Sequence, residues 1–152
     1  MKSVQEIGKC VLLCMLTIGS ASLPSTVSAA GLNCSAKGIA CLSGGIGAPE
    51  RVELRQQAGQ YSLWISTAAK KSGAFLSDTK IVVRDSNDQR VVFITVMDGP
   101  WLFLGLPAGQ YEVEAVFHEK TMRIDQQVKK ATTIKPADHH QMMFYFDVPD
   151  LE

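Results

Sequence analysis

Leu106-Pro107-Ala108-Gly109-Gln110-Tyr111-Glu112-Val113-Glu114-Ala115-Val116-Phe117 reads as a tight turn running into a strand. Tyr111, Val113, Ala115 and Phe117 alternate with Glu112 and Glu114, which predicts one face on a core and one in water. In the turn, proline presets one backbone angle, and Gly109 is expected to take the positive one. Upstream, Trp101-Leu102-Phe103-Leu104 is a short strand after the breaker Asp98-Gly99-Pro100. Before it, Lys80–Arg84 and Arg90–Met97 flank the turn formers Asp85-Ser86-Asn87-Asp88-Gln89 and predict a hairpin. Both hairpin strands are apolar on both faces, which predicts central places in a sheet. Earlier still, Tyr61, Leu63 and Ile65 alternate with Ser62, Trp64 and Ser66. Downstream, His118-Glu119-Lys120 leads to Met122, Ile124, Gln126 and Val128, an apolar face opposed by Arg123 and Asp125, and His139–Phe146 forms a last strand. About seven short strands, with turns about every 8–12 residues, predict an all-β chain folded as a Greek-key-type β-sandwich.

The N-terminal third reads differently. Lys2 and Lys9 precede the apolar run Cys10–Ile18, and small residues follow down to Ala29-Ala30. This is the pattern of a secretory signal over residues 1–30, cut after Ala29 or Ala30, with Ala21 a weaker alternative. The apolar run is shorter than the roughly 20 residues that span a bilayer, so no stable membrane span is expected after the cut. Residues 31–48 are rich in glycine, serine and alanine and read as a disordered, flexible leader. Residues 49–152 are the expected folded domain. It opens on Pro49–Gly59, whose helix formers, early proline and closing glycine predict a short helix of about two turns. Val52 and Leu54 would also suit an edge strand.

The chain has 15 basic and 15 acidic residues, with no run of like charge. Neither a nucleic-acid footprint nor a polybasic membrane patch is present. Cys10 and Cys14 lie in the expected signal, which leaves Cys34 and Cys41. An even pair in an exported chain predicts one disulfide. Zinc is the alternative, but this spacing fits no zinc ligand pattern.

Gly44-Gly45-Ile46-Gly47, Gln60-Tyr61-Ser62-Leu63, Gly73-Ala74-Phe75-Leu76-Ser77-Asp78, Asp98-Gly99-Pro100-Trp101 and Leu106-Pro107-Ala108-Gly109-Gln110-Tyr111 follow one another in this order. Together they resemble small exported proteins of Gram-negative bacteria that carry a carboxypeptidase-regulatory-like domain. The resemblance covers most of residues 44–146. It implies a prealbumin-like (transthyretin-like) β-sandwich, a periplasmic location, and a non-catalytic accessory or binding role with no catalytic residues to carry over.

No Gly-x-Ser-x-Gly elbow occurs, and His118, His139 and His140 sit in a turn and at a strand start, so an enzyme is not expected. The glycines of residues 43–47 lack the Gly-Lys-Ser/Thr of a phosphate loop, and no cofactor is implied. Asp85–Gln89 offers alternating oxygens but lacks the glycine and distal glutamate of a calcium loop. His139, His140, Met142 and Met143 are ligand types that copper favours, yet strand alternation splits them between two faces, and Met142 with Phe144 and Phe146 suits a core. Trp64, Trp101 and Tyr145 could form a sugar-stacking platform, and Trp64, on the polar phase of its strand, is the candidate binding surface. The expected partner is therefore another envelope protein or a small ligand, either carbohydrate or copper. Exposure of Trp64 alone favours protein docking, whereas a coplanar aromatic pair favours sugar.

Overall fold

A computed structural model of the chain describes residues 32–34, 36–120 and 123–148. The expected signal, residues 1–30, lies outside them, as does Met122. In chain order the elements are β1 (Leu32–Asn33), β2 (Cys41–Gly44), α1 (Ala48–Gln57), a 3-10 turn (Ala58–Gln60), β3 (Leu63–Ala69), β4 (Lys80–Asp85), β5 (Val91–Val96), β6 (Trp101–Leu104), β7 (Gly109–Glu119), β8 (Ile124–Ile134) and β9 (His140–Phe146). One sheet runs β1-β2-β6-β3-β9 and the other β5-β4-β7-β8. Neighbours pair antiparallel except β3 and β9, which are parallel. Chain crossings between the sheets set β7 beside β4 and β9 beside β3, so the fold is an all-β sandwich.

The alternation of the last seven strands builds the inner layer. Leu63, Ile65, Ile81, Val83, Phe93, Leu102, Leu104, Val113, Ala115 and Phe144 are all fully buried between the sheets. Tyr111 also faces inward, and its hydroxyl donates to the Pro107 carbonyl at 3.0 Å, tying the start of β7 back to the turn before it. This is the arrangement called a tyrosine corner in other sandwiches. Burial, then the neighbouring Asp85 carboxylate, holds the Tyr111 phenol above its ordinary pKa of 10.0.

A second apolar layer lies outside the five-stranded sheet. There Leu54 of α1 and Ala58 of the 3-10 turn pack against Leu42, Tyr61, Trp101 and Phe103. The helix begins with proline in its first turn, and Arg51 Nη1 donates to the Gly45 carbonyl at 2.8 Å across its N-terminus.

Several expectations are corrected. Residues 31–48 do not behave as one flexible leader: Cys41–Gly44 are a buried strand between β1 and β6, and Ala48 already belongs to α1. Cys41 faces the inner core and Leu42 the layer under α1, so even this short strand is held on both sides. The buried Ser43 hydroxyl accepts from the Asp98 backbone N–H at 2.9 Å. A Cβ on Gly99 would lie 2.3 Å from the Gly44 carbonyl oxygen, so the chain crosses itself there only because Gly99 has no side chain. Gly109 is not among the positive-φ residues. Its missing side chain instead makes room for the phenol of Tyr111, whose hydroxyl oxygen a Cβ would approach to 3.1 Å and whose ring it would approach to 3.2 Å. Only β4 of the 80–97 hairpin is central; β5 is a sheet edge. Ile124, paired with Glu119 at the start of β8, is exposed and is not part of the inner core. His118 and Glu119 continue β7 instead of turning.

Cys34 and Cys41 are joined by a disulfide, as expected. The bridge closes over a two-residue turn in which Ala36 pairs with Ile39.

Candidate functional site

Strand register decides what meets on the outer face of the five-stranded sheet. Trp64 lies opposite Phe103 on β6 and Gln141 on β9, and Ser66 lies opposite Trp101 and Met143. Because directly opposed residues project to the same side, these six side chains share one patch. Helix α1 covers one end of the patch and leaves the rest open. The result is a cleft of about 500 Å³, with Arg55 and Phe75 completing its walls.

The aromatic rings meet edge to face. Trp64 and Phe103 are 5.5 Å apart at 82°, Trp101 and Phe103 6.3 Å at 70°, and Phe75 and Trp101 6.2 Å at 90°. The Trp64 indole N–H donates to the Ala58 carbonyl at 3.0 Å, which locks the ring to the end of the helical segment. Phe75 is the solvent-facing member, 45% exposed, whereas Trp101 is 9% exposed. A Cβ on Gly45 would come within 3.2 Å of the Trp101 ring, so Gly45 lets the indole lie flat on the chain. Two guanidinium groups cap the aromatics: Arg55 sits 5.1 Å over Trp101 and Arg51 5.5 Å over Phe75. Among the described residues neither arginine has an acidic partner within salt-bridge distance. Arg55 is exposed, whereas Arg51 is half-buried and spends Nη1 on the Gly45 carbonyl, so both guanidinium charges are held over rings in cation–π geometry. The cleft is thus apolar at its floor and cationic at its rim.

Trp64 and Trp101 do come together here. Tyr145, opposite Ala68, lies further along the same face and is 50% exposed. A flat sugar platform is nonetheless not formed by the pair, because Arg55 covers Trp101 and the cleft's rings stand edge to face. Trp64 is half-buried rather than freely exposed. The four copper-ligand candidates do not converge. Met142 packs in the inner core and Met143 lines the outer cleft. The His139 Nδ1 lies 2.8 Å from the Tyr61 carbonyl, and His140 is exposed opposite Leu63. No cluster of three or more His, Cys, Asp or Glu side chains suited to a metal occurs among the described residues.

Phe75, Phe103, Arg51 and Arg55 complete the site but did not stand out in the sequence. Trp101-Leu102-Phe103-Leu104 carried a usable signal: large apolar groups on both phases of a short strand require a layer on each side. Arginines four apart on the only predicted helix were the other half of that signal. Comparison with models of protein families, with curated proteins and with solved structures finds no match to this chain.

Proposed function

We propose that the protein is an exported, non-catalytic β-sandwich that works in the periplasm as an interaction module, docking another envelope protein in the cleft beside α1. The observation that carries this reading is the half-open cleft itself, an aromatic floor rimmed by Arg51 and Arg55 without acidic partners. That rim suits a segment with an acidic group beside an apolar side chain. The resemblance to exported proteins with a carboxypeptidase-regulatory-like domain supports the location and the accessory role. The disulfide supports an oxidising compartment. A second reading, a small-ligand binder, draws on the cleft volume of about 500 Å³, which falls within the range of small-molecule sites.

Phe75 is the residue to test, because its ring is exposed and its loss leaves both cores intact. A photo-crosslinker at Gln141, on the cleft wall, should trap a defined envelope protein in intact cells, and Phe75→Asp should abolish the adduct. An adduct unchanged by Phe75→Asp would overturn the reading, and a bound small molecule seen by native mass spectrometry would favour the second. Sequencing of the native protein should find its N-terminus near Ala30 or Gly31 in an osmotic-shock fraction.

A further inference from the structure

The cleft on the five-stranded sheet is walled on three sides. Along β3, Trp64, Ser66 and Ala68 project in turn to the outer face, because alternate residues of a strand share one side. Trp64 stands at one end, its indole N–H tied to the Ala58 carbonyl at 3.0 Å. Phe75 stands at the other end, where it pairs with Ala68 and meets the Trp101 ring edge-on at 6.2 Å. From Trp64 to Ala68 the strand advances about 13 Å, which sets the width of the cleft. Helix α1 closes the side over β6, packing Leu54 on Trp101 and Phe103 and holding Arg55 5.1 Å from the Trp101 ring centre. The fourth side opens across β9, where Gln141 and Met143 line the mouth.

A chain that enters over β9 therefore meets α1 and cannot run on. An internal segment would have to enter and leave through the same mouth, whereas a chain end stops there without strain. The chemistry of the walls selects which end. Arg51 spends Nη1 on the Gly45 carbonyl, but the Arg55 guanidinium is exposed and makes no hydrogen bond or ion pair among the described residues. The same is true of the Ser66 hydroxyl and the Gln141 side-chain amide, which also line the cleft. A guanidinium and two neutral donors above an apolar floor suit a carboxylate carried beside an apolar side chain. A terminal ammonium would instead be repelled by Arg55. We propose that the cleft captures the C-terminus of its partner, with the terminal carboxylate on Arg55 and an apolar last side chain against Trp64 and Met143. This inference rests on the docking reading above and narrows it from an acidic segment to a free chain end.

The two tryptophans of the chain, Trp64 and Trp101, both line the cleft, so intrinsic fluorescence reports on what fills it. The purified protein is titrated with acetyl-alanyl-alanyl-leucine and with the same peptide carrying a C-terminal amide. The free acid should bind saturably and about tenfold more tightly than the amide, the step that one charge-assisted contact supplies. Arg55→Gln should weaken the acid about tenfold and leave the amide unchanged, erasing the difference between them. Circular dichroism should show this variant folded like the parent, because Arg55 is exposed. Equal binding of acid and amide, or a difference that survives Arg55→Gln, would overturn the proposal and leave docking of an internal segment standing. Isocaproate bound as tightly as the tripeptide would also overturn it, in favour of a small apolar acid. Binding of neither peptide would overturn it too, and the Gln141 adduct with its Phe75→Asp control then decides separately whether the cleft docks a protein.

Discussion

The two outer faces of the sandwich are built on opposite principles. On the four-stranded sheet, Glu112 and Glu114 of β7 meet Lys129 of β8 at 3.1 and 3.5 Å, and Glu114 meets Arg84 of β4 at 3.8 Å. This ladder of charges is half-buried and held together by its own ion pairs, and it reads as polar residues at every second position. On the five-stranded sheet the corresponding positions hold Trp64, Trp101 and Phe103, under a helix. The difference shows that strand alternation reports one face reliably and the other only by default. A charge at every second position establishes a water-facing side, whereas its absence leaves open what covers that side. The chain answers with α1 and with a cleft where α1 stops.

The strongest way to break this contrast is Phe103→Ala. Phe103 is 3% exposed, stacked on Tyr61 and edge-on to both tryptophans. If the outer layer is a true core, urea melts should show a loss of about 3–5 kcal/mol, as for a large side chain between the sheets. A loss below about 1 kcal/mol would mean that α1 rests on the sheet without stabilising it.

Gly109→Val sets the inner scale. The added Cβ and methyls would press on the Tyr111 ring, and overpacking of this kind should cost about 1–3 kcal/mol. Tyr111→Phe in the same background should relieve part of it, because the hydroxyl oxygen is the nearest atom to the added Cβ, at 3.1 Å, with ring carbons next at 3.2 and 3.3 Å. No relief at all would mean that the ring alone is what Gly109 accommodates.

On the charged face, Glu114→Ala should cost about 0.5–1 kcal/mol, slightly more than a fully solvated position because its side chain is only 12% exposed. The smallest effect is a pH dependence. The hydrogen bond that Lys129 donates to the Glu112 carboxylate is the main cause that raises Lys129 above its ordinary value of 10.5, and Tyr111 is raised by burial. Both groups hold a proton more tightly when folded. Their contributions are therefore fully present below their ordinary values and fade as pH rises through the folded ones. Urea midpoints should be flat near neutrality and fall above about pH 10, less steeply in Lys129→Gln. An unchanged slope in that variant would detach the lysine from the ladder.

Much of the fold was legible because seven strands carry either strict alternation or apolar runs bounded by turn formers. Strand β2 was not, since Cys41-Leu42-Ser43-Gly44 offers small residues amid glycines, and its burial comes from partners that lie far away in sequence. The edge position of β5 was hidden because Val91–Val96 is as apolar as a central strand. The candidate site was half legible. Trp64 announced itself by sitting on a polar phase, but Phe75 lies in a loop and the arginines look like ordinary helix surface until the rings beneath them are placed.

The parallel pairing of β3 with β9 has a kinetic consequence. It joins Leu63 to His140 and Ala69 to Phe146, so one of the longest ladders in the molecule links segments at opposite ends of the domain. Closing so long a loop is slow, and until β9 arrives Leu63 and Ile65 lack their neighbours on that side. The chain should therefore fold late and all at once, with truncations before His140 failing to fold at all and the parent refolding on the slow timescale of all-β domains. A ribosome-bound or unfolded precursor would stay open for as long as the last strand was withheld.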